Sequence, residues 1–140
     1  MKDENCAYCM QGELVAQFGY PCIELEHSLV FIFKEQSHKG RLIVASNQHV
    51  SELVDLSDEE RNGYFADIDK VAKAMHLAFS PDKINYGAYG DTGKHLHFHL
   101  VPKYKDGEEW GTTFAMNNGK VKLTDEEYEA LAEAIRSNIK

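Results

Sequence analysis

The stretch HLHFHL, residues 95–100, constrains this chain more than any other. Three imidazoles alternate with Leu96, Phe98 and Leu100. Successive side chains of a β-strand point to opposite faces, so residues two apart share a face. On a strand, His95, His97 and His99 form a row on one side, each about 6 to 7 Å from the next. The three apolar residues then turn into a core behind them. On a helix the same residues would scatter around the axis, so the alternation predicts a strand. Pro102 limits how far that strand can remain in a ladder.

The chain has 140 residues, enough for one domain spanning 1–140 with a real hydrophobic core. Hydrophobic residues make up 43% and charged residues 27%, a globular balance rather than a disordered or membrane-spanning one. No apolar run approaches the roughly 20 residues of a membrane helix. The opening MKDENCAYC lacks the basic and apolar regions of a secretory signal, so a cytoplasmic protein is expected. Fifteen basic residues against 23 acidic ones give a net charge of −8, which disfavours non-specific binding to nucleic acid. A local site for a single phosphate remains open. Of the three cysteines, Cys6 and Cys9 form a C-x-x-C pair and Cys22 is left over. Such a pair in a reducing compartment is half of a zinc site or a redox couple. The redox form expects a strand before the motif, and none precedes it here, so metal is the expected role.

Residues 21–33 are rich in Ile, Leu, Val and Phe, densest at SLVFIF, and read as strand. SHKG (37–40) reads as a turn and RLIVAS (41–46) as another strand. Ser57 followed by Glu60 fits a capping box. Tyr64, Ile68, Val71, Met75 and Ala78 then recur at helical spacing, one face of a helix of about five turns. Pro81 stops it and pushes Ser80 out of helical geometry. KINYGAYG gives a short strand and a glycine-containing loop that leads into the histidine row. Thr124 and Glu127 form a second capping box, with Tyr128, Leu131, Ile135 and Ile139 as the apolar stripe of a C-terminal helix. Strands in runs, with one long helix inserted and one at the end, predict an α+β fold with a mostly antiparallel sheet.

A row of three same-face histidines suits a metal site or nucleophilic catalysis by a neutral imidazole, and otherwise reads as a polar strand edge. HLHFHLV also matches the alternating signature of the histidine triad (HIT) family. ENCAYC resembles the N-terminal cysteine pair of zinc-containing bacterial members, GRLIVASNQHVSELVDLSDEE the segment around the second strand, and NYGAYGDTGKHLHFHLVPKY the phosphate loop and triad strand.

The resemblance implies an α+β domain with a five-stranded antiparallel sheet, one long central helix and a C-terminal helix, usually paired as a homodimer. It implies a nucleotide hydrolase or transferase acting at an α-phosphate of nucleoside phosphoramidates or dinucleoside polyphosphates. By position, His97 is the nucleophile that forms a nucleotidyl-histidine, and His99 contacts the phosphate. Asp91, Thr92 and Asn85 fall at or near the family's polar phosphate-binding positions. Cys6, Cys9, His49 and His95 are the implied ligands of a closed, structural zinc, with no metal in the chemical step. Two other readings stay open: a nucleotide-binding regulatory module with little turnover, and a metal-dependent hydrolase using the triad histidines as ligands.

The chain departs from the family at several positions. Arg41 stands where a histidine is usual, and Ser46-Asn47 where Pro-Lys is usual. Phe33 occupies the usual ribose-binding Asp position, with Glu35 as a nearby substitute. Lys94 precedes His95 and is expected to point away from the histidine face. His27 and His38 are expected at surface turns, His76 at the border of the core, and Trp110 near the pocket, at a dimer seam or packed in the core.

Overall fold

The apolar run 21–33 proves to be the middle of a hairpin, β1 (Gly19–Glu24) and β2 (Ser28–Phe33), turning at residues 25–27. The computed structural model describes residues 3–140. Before the hairpin come two short helical turns, α1 (Ala7–Met10) and α2 (Gly12–Ala16). After it follow β3 (Leu42–Ser46), a 3-10 turn at Leu53–Asp55 and α3 (Asp58–Phe79). The chain ends with β4 (Lys83–Ala88), β5 (His97–Lys103) and α4 (Asp125–Arg136). All neighbouring strands pair antiparallel, in the order β1-β2-β3-β5-β4. The histidine strand β5 therefore lies inside the sheet, with a hydrogen-bonded partner on each side.

Both long helices begin where their capping boxes predict. Ser57 accepts from the Glu60 amide at 3.1 Å while Glu60 accepts from the Ser57 amide at 2.9 Å, and Thr124 and Glu127 repeat the arrangement. Helix α3 ends at Phe79 because Ser80 adopts a left-handed conformation (φ 49°) before Pro81. Tyr64, Ile68, Val71 and Met75 bury the predicted stripe against Val30, Leu42, Val44 and Leu100, and α4 adds Tyr128, Leu131 and Ile135 to the same core. Each such fully buried side chain contributes about 1.5–3 kcal/mol. Leu96 and Phe98 turn to this side, as the alternation predicts.

The other face of the sheet carries Phe31, Phe33, Ile43 and Ala45, covered by Tyr8 and Val15 from α1 and α2. Residues 104–124 also close over this face. Glu35 accepts from the Lys120 and Val121 amides at 2.9 and 2.8 Å, and the buried Lys103 ammonium donates to the Glu109 and Thr112 carbonyls at 2.7 and 2.6 Å. No helix among the described residues is long and apolar enough to cross a membrane.

Candidate functional site

His97 and His99 project from β5 onto the face away from the long helices, their ring centroids 5.3 Å apart. Their partners on β3 are Ala45 and Ile43, so the residue beside His97 is small. On β4 the partner of His99 is Gly87, where a Cβ would lie 2.8 Å from the Tyr89 ring and 2.9 Å from the Phe114 ring. Glycine at that position admits both rings over His99. His95 precedes the strand, yet its ring stays on the same side, because Tyr8 packs against both His95 and His97 at 5.3 and 5.0 Å.

Hydrogen-bond direction fixes a tautomer for each ring. The Nδ1 of His97 lies 2.7 Å from the His95 carbonyl, which can only accept, so Nδ1 carries the hydrogen. The neutral ring then keeps its lone pair on Nε2. Burial, opposed by that hydrogen bond, holds His97 below the ordinary imidazole pKa. The Nε2 of His95 donates to the Ser46 carbonyl at 2.7 Å, which leaves its lone pair on Nδ1. His99 is the reverse of His97. Arg41 Nη2, a donor only, lies 3.1 Å from His99 Nδ1, so the hydrogen of a neutral ring sits on Nε2. Burial first, then the Arg41 charge, brings His99 down to about 3.

A second cluster adjoins the row. One ligand atom from each of Cys6, Cys9, His49 and His95 falls within 4.8 Å of all the others. Cys6 Sγ lies 3.3 Å from His95 Nδ1, Cys9 Sγ 3.2 Å from His49 Nδ1, and the two Nδ1 atoms 3.2 Å apart. Tetrahedral zinc with bonds of about 2.0–2.3 Å requires ligand spacings of about 3.3–3.8 Å, so the donor set and spacing fit that ion. The lone pair of His95 already points inward, and His49 Nε2 lies 3.7 Å from a carboxylate oxygen of Asp3. Such outer partners orient ligating imidazoles. Ser46 and Asn47 build the turn that presents His49: Ser46 Oγ accepts from the Gln48 amide at 3.1 Å, and Asn47 Nδ2 donates to the Glu26 carbonyl at 2.9 Å.

A cavity of about 480 Å³ is lined by Tyr8, Phe18, Thr92, Gly93, Lys94, His95 and His97, among others. Thr92 thus shares a cavity with His97, while the exposed Asp91 does not line it. Asn85 lies farther along the sheet, opposite Val101, in a recess of about 540 Å³ with Lys83, Lys103 and Trp110. A larger cavity of about 680 Å³ lies outside α3, lined by Lys70, Lys73 and His76, and contains none of the row. Chemistry rather than size picks out the site.

Several expectations are corrected. Lys94 lines the same cavity as His97, because β5 begins only at His97 and strict alternation does not extend back to it. His38 is buried, not at the surface, and its Nε2 pairs with Glu109 at 2.6 Å. His76 is exposed, and Trp110 is 42% exposed rather than packed in the core. The Glu35 carboxylate is engaged by Ser37, Lys120 and Val121, so it does not replace the ribose-binding acid. Phe33 instead lies beneath the Arg41 guanidinium, 4.3 Å from ring centroid to cation. The one signal for Tyr8 in the sequence is its position inside C-x-Y-C, between two candidate ligands.

A family model described as HIT domain matches residues 21–106. An adenosine 5'-monophosphoramidase of Schizosaccharomyces pombe is 30% identical over 146 residues, covering 97% of this chain and 99% of that protein. "Protein hit" of Bacillus subtilis is 28% identical over 129 residues, 87% of each chain. Among solved structures, a histidine triad protein from Sinorhizobium meliloti superposes with a TM-score of 0.83 at 20% identity, over 91% of this chain and 94% of its own. A Zn-bound histidine triad family protein from Mycobacterium smegmatis gives 0.67 at 20% identity, over 94% of each. At those identities the two structures establish likeness of fold.

Proposed function

The chain belongs to the HIT domain family, and on that premise we propose that it is a nucleotide hydrolase or transferase working through a covalent nucleotidyl-histidine. The observation that carries the reading is the 2.7 Å bond from His97 Nδ1 to the His95 carbonyl. It leaves Nε2 as a free lone pair on a ring that burial keeps neutral, the form in which an imidazole is a nucleophile.

His97 Nε2 attacks the α-phosphorus of a nucleoside phosphoramidate or dinucleoside polyphosphate. An N–P bond forms as the bond to the amine or to the departing nucleotide breaks; the leaving group takes the electron pair, and an amine also takes a proton from solvent. Water then attacks the same phosphorus and gives up a proton to solvent, the N–P bond breaks, and Nε2 recovers its lone pair. The His95 carbonyl stabilises the positive charge that the ring carries while it is bonded to phosphorus. His99, with hydrogen on Nε2, is a neutral donor toward a phosphate oxygen. Thr92, Gly93 and Lys94 of the loop complete the binding region in this reading, whereas Asp91 and Asn85 lie outside the cavity that holds His97.

Cys6, Cys9, His49 and His95 would hold zinc as a closed Cys₂His₂ site, which supplies structure by pinning α1 and Tyr8 to the sheet. The phosphoramidase relative and the Zn-bound structure support these two parts of the reading respectively. A catalytic ion on His97 and His99 is disfavoured, because His99 Nδ1 accepts from a cation and its Nε2 carries hydrogen. A homodimer joined at the edge strand β4, which exposes Tyr86, completes the proposal.

The test is turnover of adenosine phosphoramidate and of diadenosine polyphosphates by wild type and His97→Ala. We expect the variant to lose at least about a thousandfold in kcat, in line with removal of a nucleophile. Equal rates would reject His97, and AMP binding without turnover in either form would replace the enzyme by a nucleotide-binding module.

A further inference from the structure

Arg41 has no solvent exposure and makes no ion pair among the described residues. A buried cation without a carboxylate is costly to a fold. Its guanidinium lies between the rings of Phe33 and Phe114, 4.3 and 4.9 Å from their centroids. Nη1 donates to the Ala115 carbonyl at 3.0 Å, and Nη2 to the Met116 carbonyl at 2.8 Å and to His99 Nδ1 at 3.1 Å. Nε is buried with no acceptor. The planar fork is thus fixed by two aromatic faces and two carbonyls, and its contact with the histidine row is one bond to one ring.

We propose that Arg41 is a positioning residue, holding His99 with its hydrogen on Nε2 and locking that ring to the loop at residues 114–116. The proposal rests on the reading that His99 donates to a substrate phosphate. Arg41 itself does not touch the substrate. It acts from behind the ring, since guanidinium can only donate and so keeps Nδ1 an acceptor. The charge is also placed so that it opposes protonation of His99, leaving a neutral donor backed by a cation rather than a second imidazolium beside His97. The other groups facing His99 are His97 at 5.3 Å, Tyr89 at 6.4 Å and the apolar rings of Phe33 and Phe114. Among them only Arg41 carries a fixed charge. The loop that supplies Ala115 and Met116 also receives Glu109, which accepts from the Ala115 amide at 2.9 Å, so the clamp is braced on both sides.

Nitrogen-15 NMR of the histidine rings in the metal-loaded protein tests this without any substrate. In wild type at neutral pH, His99 is expected to show an acceptor-type Nδ1 and a protonated Nε2 as two widely separated signals. In Arg41→Met the two signals should move toward each other as Nδ1 becomes free to take a proton. Arg41→Lys provides the milder variant: it keeps the charge, but an ammonium cannot serve two carbonyls and an imidazole in one plane, so a smaller shift is expected. Unchanged His99 signals in both variants, with metal content retained, would overturn the proposal. The kinetic arm is a double-mutant cycle. Arg41→Lys should lower kcat by about ten- to a hundredfold, the scale typical when the partner orienting a working imidazole is lost. In a His99→Ala background the same change should cost little. A full additional loss there would show that Arg41 acts elsewhere and would also overturn the proposal. If wild type turns over no nucleotide, the proposed function fails while the spectra still decide the role of Arg41.

Discussion

His95, His97 and His99 occupy alternate positions, yet each ring meets a different partner: the Ser46 carbonyl, the His95 carbonyl and the Arg41 guanidinium. Those three bonds give one ring an inward Nδ1 lone pair, one a free Nε2 lone pair, and one an Nε2 donor. The same environment sets a pH dependence. Burial lowers the pKa of His97, so the proposed nucleophile stays neutral below the ordinary value near 6.5. The acid limb of kcat/KM is expected to lie below that value; a limb at or above it would contradict a buried neutral nucleophile. Stability follows a related course. His99 titrates near 3 in the folded protein, so between about 6.5 and 3 the unfolded chain binds a proton that the folded one does not. Stability is full above that window and falls as pH drops through it, by up to about 1.4 kcal/mol per pH unit for this ring. Urea denaturation at a series of pH values checks the direction.

Between residues and the whole, the elements differ in how far local sequence specifies them. Helices α3 and α4 carry their own start signals in Ser57/Glu60 and Thr124/Glu127, and Pro81 supplies a stop, so both were legible. The β1–β2 hairpin was not separated, because residues 21–33 are apolar almost throughout and its turn at 25–27 has no glycine or asparagine. The turns α1 and α2 were missed because four or five residues hold too little periodicity to register. The burial of His38 was hidden for another reason: its partner Glu109 is 71 positions away. Spacing alone points to the Cys6 and Cys9 pair; His49 and His95 are implied by the family resemblance, and the structure brings the four ligand atoms together. With zinc held there as proposed, the cluster ties α1 to the sheet, so Cys6→Ser combined with Cys9→Ser should remove the zinc and lower Tm by on the order of 10 °C. Elemental analysis and calorimetry read both quantities. Stoichiometric zinc in the double variant would sink the ligand assignment.

For the whole molecule, the sheet order explains how the Cys/His cluster comes to adjoin the start of the strand that carries His97 and His99. With β5 between β3 and β4, the histidine strand is held on both sides and its back packs against α3, while α4 covers β1 and β2. Its front is left to the N-terminal turns, which bring the cysteines and Tyr8, and to the 104–124 segment, which is clamped by Arg41 and Lys103. Strand β4 remains an edge, with Tyr86 and Tyr89 each 53% exposed. If two copies join there, light scattering will give the mass of two chains, and Tyr86→Lys combined with Tyr89→Lys will shift it toward one. A monomeric wild type would remove the dimer from the account. The central claim, however, is the covalent step at His97, and it is tested most directly by trapping it. Wild type mixed with adenosine phosphoramidate, quenched in alkali where an N-linked phosphoryl group survives, is digested and mapped by mass spectrometry. A nucleotidyl group is expected on the peptide that contains residues 95–100, localised to His97 and absent from His97→Ala. An adduct on another residue, or turnover with no adduct at any quench time, would contradict it.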